Sequence, residues 1–316
     1  MRAITITADH RLEPAGIPEP VAAPGEVLVD VVAAGVNRAD LAQAAGKYPP
    51  PPGASELPGL EVCGHRRDTG EPVVALLAGG GYAEVVAVAE EQLLPVPHGL
   101  DLVDAAGVIE VCATVVSNLV MEGGLGEGQT VLIHGGTGGI GTTAIQLARE
   151  LGARVLTSVG SEEGVAQVRE LGADLAWNRR TVELREAVLE AGGADLILDI
   201  VGGSMLADNV AMLRQHGRLV IIGTLGGADG ELPVGMLMGK RARVIGTTLR
   251  SRPTAEKAEI LERTRELVWP LLTSGSLHIP VHARLPLERA AEAHAILREG
   301  GHLGKVVLEV TATGGG

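Results

Sequence analysis

The chain has 316 residues, with 26 Lys+Arg against 39 Asp+Glu for a formal net charge of −13, and is long enough for about two domains of ~100–200 residues. Hydrophobic residues at 46% and charged residues at 21% exclude a disordered chain; acidity with two Tyr, two Trp and no Phe excludes a nucleic-acid binder, which needs basic stripes and stacking platforms. Two cysteines, Cys63 and Cys112, exclude a disulfide scaffold, and no segment approaches the ~20 apolar residues of a membrane span.

The start, MRAITITADH, lacks a signal pattern, so a cytoplasmic location is expected. Short β segments come first: RAITIT (2–7), GEVLVDVVAAGV (25–36), EPVVALL (71–77) and YAEVVAV (82–88). Pro- and Gly-rich stretches at 46–59 and 76–81 interrupt them, which predicts a β barrel or rolled sheet. From about residue 115 strands and helices alternate. Apolar strands are predicted at 129–135, 153–159, 173–178, 194–201, 217–223 and 242–249. Ile140, Ala144, Leu147, Ala148 and Leu151 mark an amphipathic helix after the first of them. Uniformly apolar strands between such helices predict a parallel sheet covered on both faces. A helix at 254–274, a strand at HIPVHARL, a helix at 287–298 and a strand at GKVVLEV (304–310) follow, and TATGGG is expected to fray. The predicted organisation is a β-rich part (1–113), a doubly wound α/β domain (114–250) and a return segment (251–316) completing the first part.

Gly136-Thr137-Gly138-Gly139-Ile140-Gly141 reads G-x-G-x-x-G between an apolar strand ending at His134 and an amphipathic helix. That context makes it a dinucleotide site. The first glycine serves the tight turn, the second the approach of a pyrophosphate, and the third the helix–strand packing. Free N–H groups and the helix dipole then face the phosphate charge. An NAD site usually carries an acid at the end of the second strand. Here that end reads Thr157-Ser158-Val159-Gly160-Ser161, with Glu162 and Glu163 only afterwards. Arg179 and Arg180 could pair with a 2′-phosphate, which favours NADPH; alternatively both are surface residues and Glu162 takes the ribose.

Six further stretches join these features: GVNRAD (35–40), GKYPPPPGAS (46–55), GLEVCG (59–64), LLAGGGYAE, ILDIVGG and TTLRSRP. Together they resemble the zinc-independent quinone oxidoreductases of the medium-chain dehydrogenase/reductase superfamily, closest to the tumour-suppressor-inducible type. The resemblance implies a GroES-like β barrel beside a Rossmann domain, NADPH in the cleft between them, and reduction of quinones. It places Asn37, Asp40 and Tyr48 around nicotinamide and acceptor and Thr114 against the nicotinamide; the cofactor-binding residues expected in all are Thr114, Gly136 to Gly141, Gly160, Ser161, Arg179 and Gly223. Tyr48 would hydrogen-bond an acceptor carbonyl, or it is a loop anchor; Asp40 would act there or hold the loop through backbone hydrogen bonds. Zinc-dependent relatives carry Cys, His and Cys where this chain has Asn37, Leu60 and Glu110, so no metal is expected. Homodimerisation is expected through the edge strand near 242–249.

Three departures stand out. The hairpin after His65 is short. Gly164 replaces a Lys frequent in NADPH-using relatives, and Arg179 replaces a nearby Tyr. Without Phe, a planar quinone loses stacking partners. An enoyl-thioester or enone reductase, using Tyr48 as proton donor, is the second reading, and a non-catalytic NADPH-binding protein the third.

Overall fold

The computed structural model describes residues 1–310, and the fraying expected at TATGGG (311–316) lies outside them. Contacts divide the chain into two compact units: Met1–Ala113 with the segment from Leu249 onward, and Thr114–Thr248.

In the first unit, β1 (Arg2–Ile6) and β2 (Leu12–Gly16) form a hairpin. β3 (Glu26–Val36) is followed by α1 (Arg38–Ala44), β4 (Glu61–Arg66), β5 (Pro72–Leu76), β6 (Val85–Ala89) and β7 (Leu93–Pro95). β4 and β5 are joined by a tight turn through Thr69 and Gly70, so the short connection after His65 closes as a hairpin. Two helical stretches follow, α2 (Leu102–Ala105) and α3 (Ile109–Val115).

The second unit continues α3 as a π-helix over Val116–Glu122. Then come β8 (Thr130–His134), α4 (Gly139–Glu150), β9 (Arg154–Val159), α5 (Glu162–Glu170), β10 (Leu175–Asn178), α6 (Leu184–Glu190) and β11 (Ala194–Asp199). α7 (Leu206–Met212), β12 (Leu213–Ile221), α8 (Val234–Lys240) and β13 (Arg243–Gly246) complete it. All strand pairs of this unit are parallel, in the order β10-β9-β8-β11-β12-β13. This is the Rossmann order, which reverses between β8 and β11, where open α/β sheets bind ligands beyond the strands' carboxyl ends. The apolar strands make a continuous interior: β8 is buried along its whole length, and Leu132, Leu156, Ile197 and Leu219 form one core. α4 buries residues 141–148 against the sheet and turns Arg149 and Glu150 outward.

The chain then returns to the first unit with α9 (Thr254–Ser274), β14 (Val281–Pro286), α10 (Ala290–Glu299) and β15 (Lys305–Glu309). β15 pairs antiparallel with β3 and extends the sheet to β14-β15-β3-β4-β5-β7, with β6 also on β3. Its core joins Ile4, Val29, Val62, Leu285 and Val306 across both segments. The return segment is therefore part of one hydrophobic core. Among the described residues no helix is long and apolar enough to cross a membrane.

Candidate active site

Apart from Thr114, which lies in α3, the residues expected to bind the dinucleotide follow the carboxyl ends of the sheet's strands. The glycine turn follows β8, Gly160 and Ser161 follow β9, Arg179 follows β10, and Gly223 follows β12. The turn is sterically closed on itself. A Cβ on Gly136 would stand 2.4 Å from Thr157 Oγ1, and one on Gly141 would stand 2.3 Å from the Gly135 carbonyl. Gly138 is different, because nothing lies closer than 3.7 Å to its Cβ position. It is the N-cap of α4 and no side chain caps that helix, so the first-turn N–H groups and the open space beside them suit a pyrophosphate.

Beyond β9, a Cβ on Gly160 would lie 3.5 Å from the Arg179 guanidinium. Arg179 is exposed, and among the described residues its side chain has no hydrogen bond or ion pair. Ser161 caps α5, accepting from the Gly164 N–H at 3.1 Å and keeping its O–H free to donate. Glu162 is otherwise engaged: Oε1 accepts from Asn178 Nδ2 at 2.8 Å and from Thr181 Oγ1 at 3.3 Å. The arrangement fits a 2′-phosphate better than a ribose 2′-OH. Gly164 has a packing reason too, since its Cβ position lies 3.0 Å from Thr137 Cγ2 of the turn.

Beneath the turn His134 is buried between Ser158 and Asn209. Nε2 donates to Asn209 Oδ1 at 2.8 Å, since the Asn209 amide N–H group is given to Asp199, and Nδ1 shares a hydrogen bond with Ser158 Oγ at 3.0 Å. Burial pushes its pKa down. Asn209 in turn donates to Asp199 at 3.0 Å, and Asp199 also takes the N–H groups of Val201 and Gly202. This network ties together the ends of β8, β9 and β11; His134 is structural. Thr114 is buried in α3, and its carbonyl accepts from Asn118 Nδ2 at 2.7 Å. Asn118 Oδ1 accepts from Thr247 Oγ1 at 2.6 Å, a link that the sequence reading did not single out.

In the first unit Asn37 and Asp40 come together at the start of α1. Asp40 is fully buried; Oδ2 accepts from the Asn37 N–H at 2.7 Å and from the Tyr82 hydroxyl at 3.2 Å, and Oδ1 accepts from the Gly59 N–H at 3.0 Å. Burial lifts its pKa to about 6 against these donors and against Lys305. Tyr82 lies outside the strands, fully buried, with its oxygen also 3.1 Å from His294 Nε2. Asn37 is committed on both sides of its amide. Nδ2 donates to Glu61 Oε1 at 3.0 Å, and Oδ1 accepts from Lys305 Nζ at 2.6 Å.

Lys305 also donates to Glu61 Oε1 at 2.7 Å and to the Val36 carbonyl at 2.9 Å, so all three ammonium protons are placed. Sequence reasoning missed both members of this buried pair. Each is the first residue of its strand, where a charge reads as an exposed strand end, and both are buried instead. Tyr48 stands apart: no hydrogen bond joins it to Asn37 or Asp40. Its carbonyl accepts from Arg250 Nη1 at 3.2 Å, and its half-buried hydroxyl has no partner among the described residues. Of the two tyrosines, one hydroxyl is consumed inside the protein and the other is free among the described residues.

The alcohol dehydrogenase GroES-like domain family matches residues 23–98, and the zinc-binding dehydrogenase family matches residues 139–265. The chain is 32% identical over 330 residues to the quinone oxidoreductase of Lama guanicoe, covering 98% of this chain and 97% of that one. The chain belongs to the quinone oxidoreductases of the medium-chain dehydrogenase/reductase superfamily. Among solved structures, the quinone oxidoreductase of Thermus thermophilus, determined also with NADPH, superposes with a TM-score of 0.85 at 32% identity, covering 98% and 100% of the two chains. An NAD-dependent alcohol dehydrogenase superposes equally well, at 0.85 and 29% identity over 98% and 100%. Overall likeness therefore leaves the choice of dinucleotide to the residues beyond β9 and β10.

The superfamily includes zinc enzymes, and the donor set here does not fit that metal. Asn37, Leu60 and Glu110 offer no thiolate or imidazole, and the Lys305 ammonium occupies the neighbourhood of Asn37 and Glu61. A zinc ion needs three ligands of the Cys, His or carboxylate kind, and a fixed ammonium at that carboxylate repels a second cation.

Proposed function

We propose that this chain is an NADPH-dependent, zinc-independent quinone oxidoreductase in which Tyr48 is the hydrogen-bond donor to the acceptor carbonyl. The free Tyr48 hydroxyl carries this reading, because Tyr82 already serves Asp40. The second unit holds the dinucleotide, with the α4 N-terminus on the pyrophosphate and Ser161 and Arg179 on the 2′-phosphate. Thr114 and Gly223 lie toward the nicotinamide. Bound NADPH supplies the hydride. The protein's task is to orient the acceptor and to stabilise the oxyanion that develops on it. Asn37 and Asp40 set the backbone from which the Tyr48 loop departs. Within the family, GVNRAD, GKYPPPPGAS and TTLRSRP support the tumour-suppressor-inducible type as nearest kin.

The assay is oxidation of NADPH on addition of 1,4-benzoquinone, measured against the protein-free rate. Turnover is expected, and Tyr48→Phe should lower kcat/KM by roughly 10²-fold, the scale for one lost oxyanion donor. Undiminished activity in Tyr48→Phe would remove Tyr48 from this role. The same hydroxyl suits proton donation to an enoyl thioester, so crotonyl thioester is the second acceptor, and turnover there alone would make the chain an enoyl reductase. We also propose a homodimer through β13. It is the sheet's edge strand, and the nearby segment exposes Leu225, Val234 and Met238.

A further inference from the structure

Arg250 is the second residue after the chain re-enters the first unit, and it is 5% exposed. Its guanidinium reaches three separate segments. Nη2 donates to Gln43 Oε1 of α1 at 2.7 Å, Nη1 to the Tyr48 carbonyl at 3.2 Å, and Nε to the Ala78 carbonyl at 2.7 Å. Gln43 donates in turn to the Glu56 carbonyl at 2.9 Å. The Gly/Pro-rich loop is thus tied at both ends and at Tyr48 itself. The guanidinium carbon also stands 5.1 Å from the Tyr48 ring centroid, within reach of a cation–π contact.

No carboxylate pairs with Arg250 among the described residues, and Lys257, itself 5% exposed, brings its ammonium to the Arg250 carbonyl at 3.5 Å. Two buried cations without a counter-ion are costly if stability is the only purpose. A phenol held beside that charge, with its hydroxyl unpaired, gives the cost a function. Burial and Glu110 make the phenol harder to ionise, and Arg250 opposes them; Asp40 and Glu56 are the acids whose fields reach Arg250.

We propose that Arg250 is a positioning residue for Tyr48. It fixes the loop that carries the ring and polarises the O–H toward an oxyanion developing on the acceptor. The proposal rests on Tyr48 being the donor to that acceptor, and its test includes one arm that does not depend on turnover. Arg250→Gln removes fork and charge, whereas Arg250→Lys keeps the charge without the fork.

Label the protein with 3-fluorotyrosine and follow its 19F spectrum with pH. The chain has only two tyrosines, and Tyr82 is fully buried, so the titrating resonance is that of Tyr48. Its midpoint should move up in Arg250→Gln and less in Arg250→Lys. In the benzoquinone assay kcat should fall about ten- to a hundredfold in both variants, with NADPH affinity unchanged. In a Tyr48→Phe background the same Arg250 substitutions should cost less than about twofold, since their effect passes through the phenol. An unmoved midpoint in Arg250→Gln, or an equal loss of kcat in the Tyr48→Phe background, would overturn the proposal. If the wild type turns over no quinone, the acceptor reading fails by itself. The 19F titration then decides alone: a raised midpoint supports the placement and an unmoved one overturns it.

Discussion

Lys305 and Glu61 meet 2.7 Å apart at 2% and 0% exposure, with every donor proton of the ammonium placed. Such a pair is a modest source of stability while intact, but removing one partner strands the other charge in the interior. Lys305→Met is expected to lose ~3–5 kcal/mol in urea denaturation, and adding Glu61→Gln should return part of that loss. A loss below ~1 kcal/mol in the single variant would mean that the carboxylate finds water or a proton.

Burial also shapes the response to acid. It holds His294 and His302 down to about 4, from the ordinary 6.5. Their contribution is complete above 6.5 and is lost as pH falls through about 4. Asp40, lifted from 3.8 to about 6, acts the other way, contributing below 3.8 and fading as pH rises through about 6. Burial also holds His134 down and Asp199 up, so three histidines against two aspartates leave the native state gaining stability as pH rises between those limits. Tm should be higher at pH 7 than at pH 5, and the difference should shrink in His302→Gln; a higher Tm at pH 5 would reverse the assignment. At this scale the sequence was uneven. Asn37 and Asp40 stood out through their motif, but Lys305, Arg250 and His294 act across 244, 207 and 212 positions of chain, a separation that no local spacing discloses.

The glycine turn is the element to which the proposed function assigns the pyrophosphate, and its glycines differ in their surroundings. Gly141 has backbone where a Cβ would go, whereas Gly138 faces open space. Gly141→Ala should therefore disturb the turn itself and lower Tm along with NADPH affinity. Gly138→Ala should leave Tm within a degree or two and still weaken NADPH by an order of magnitude, by filling the place of the pyrophosphate. Fluorescence titration and thermal melts separate the two, and NADPH affinity retained in Gly138→Ala would mean that the open space is not the phosphate's. The six parallel strands were legible through their apolar runs, which are continuous where both faces are buried, as in β8, and shrink to LVI in β12 and VI in β13, each beside an arginine. β4 was not: EVCGHR carries charge at both ends and a glycine in its middle, and its pairing with β3 and β5 is what holds it. α8 escaped for a related reason, as VGMLMGK has two glycines and no buried residue.

Two units and one interrupted chain describe the whole molecule. The change from short Pro- and Gly-punctuated strands to strand–helix alternation made the insertion readable, and β15 pairing with β3 shows why the last residues belong with the first. The proposed homodimer would form through the edge strand β13. Light scattering at micromolar concentration should give twice the chain's 32.4 kDa. The monomer mass there would leave the apolar edge to some other protection.

The reading of the molecule as an NADPH enzyme turns on Arg179, and paired titrations test it most directly. Wild type and Arg179→Ala would each be titrated with NADPH and NADH by nicotinamide fluorescence. The wild type should prefer NADPH. Arg179→Ala should lose about tenfold or more for NADPH, the scale of a charge-assisted bond to phosphate, with NADH binding unchanged. Equal losses for both dinucleotides, or a wild type that prefers NADH, would contradict the assignment of Arg179 to the 2′-phosphate.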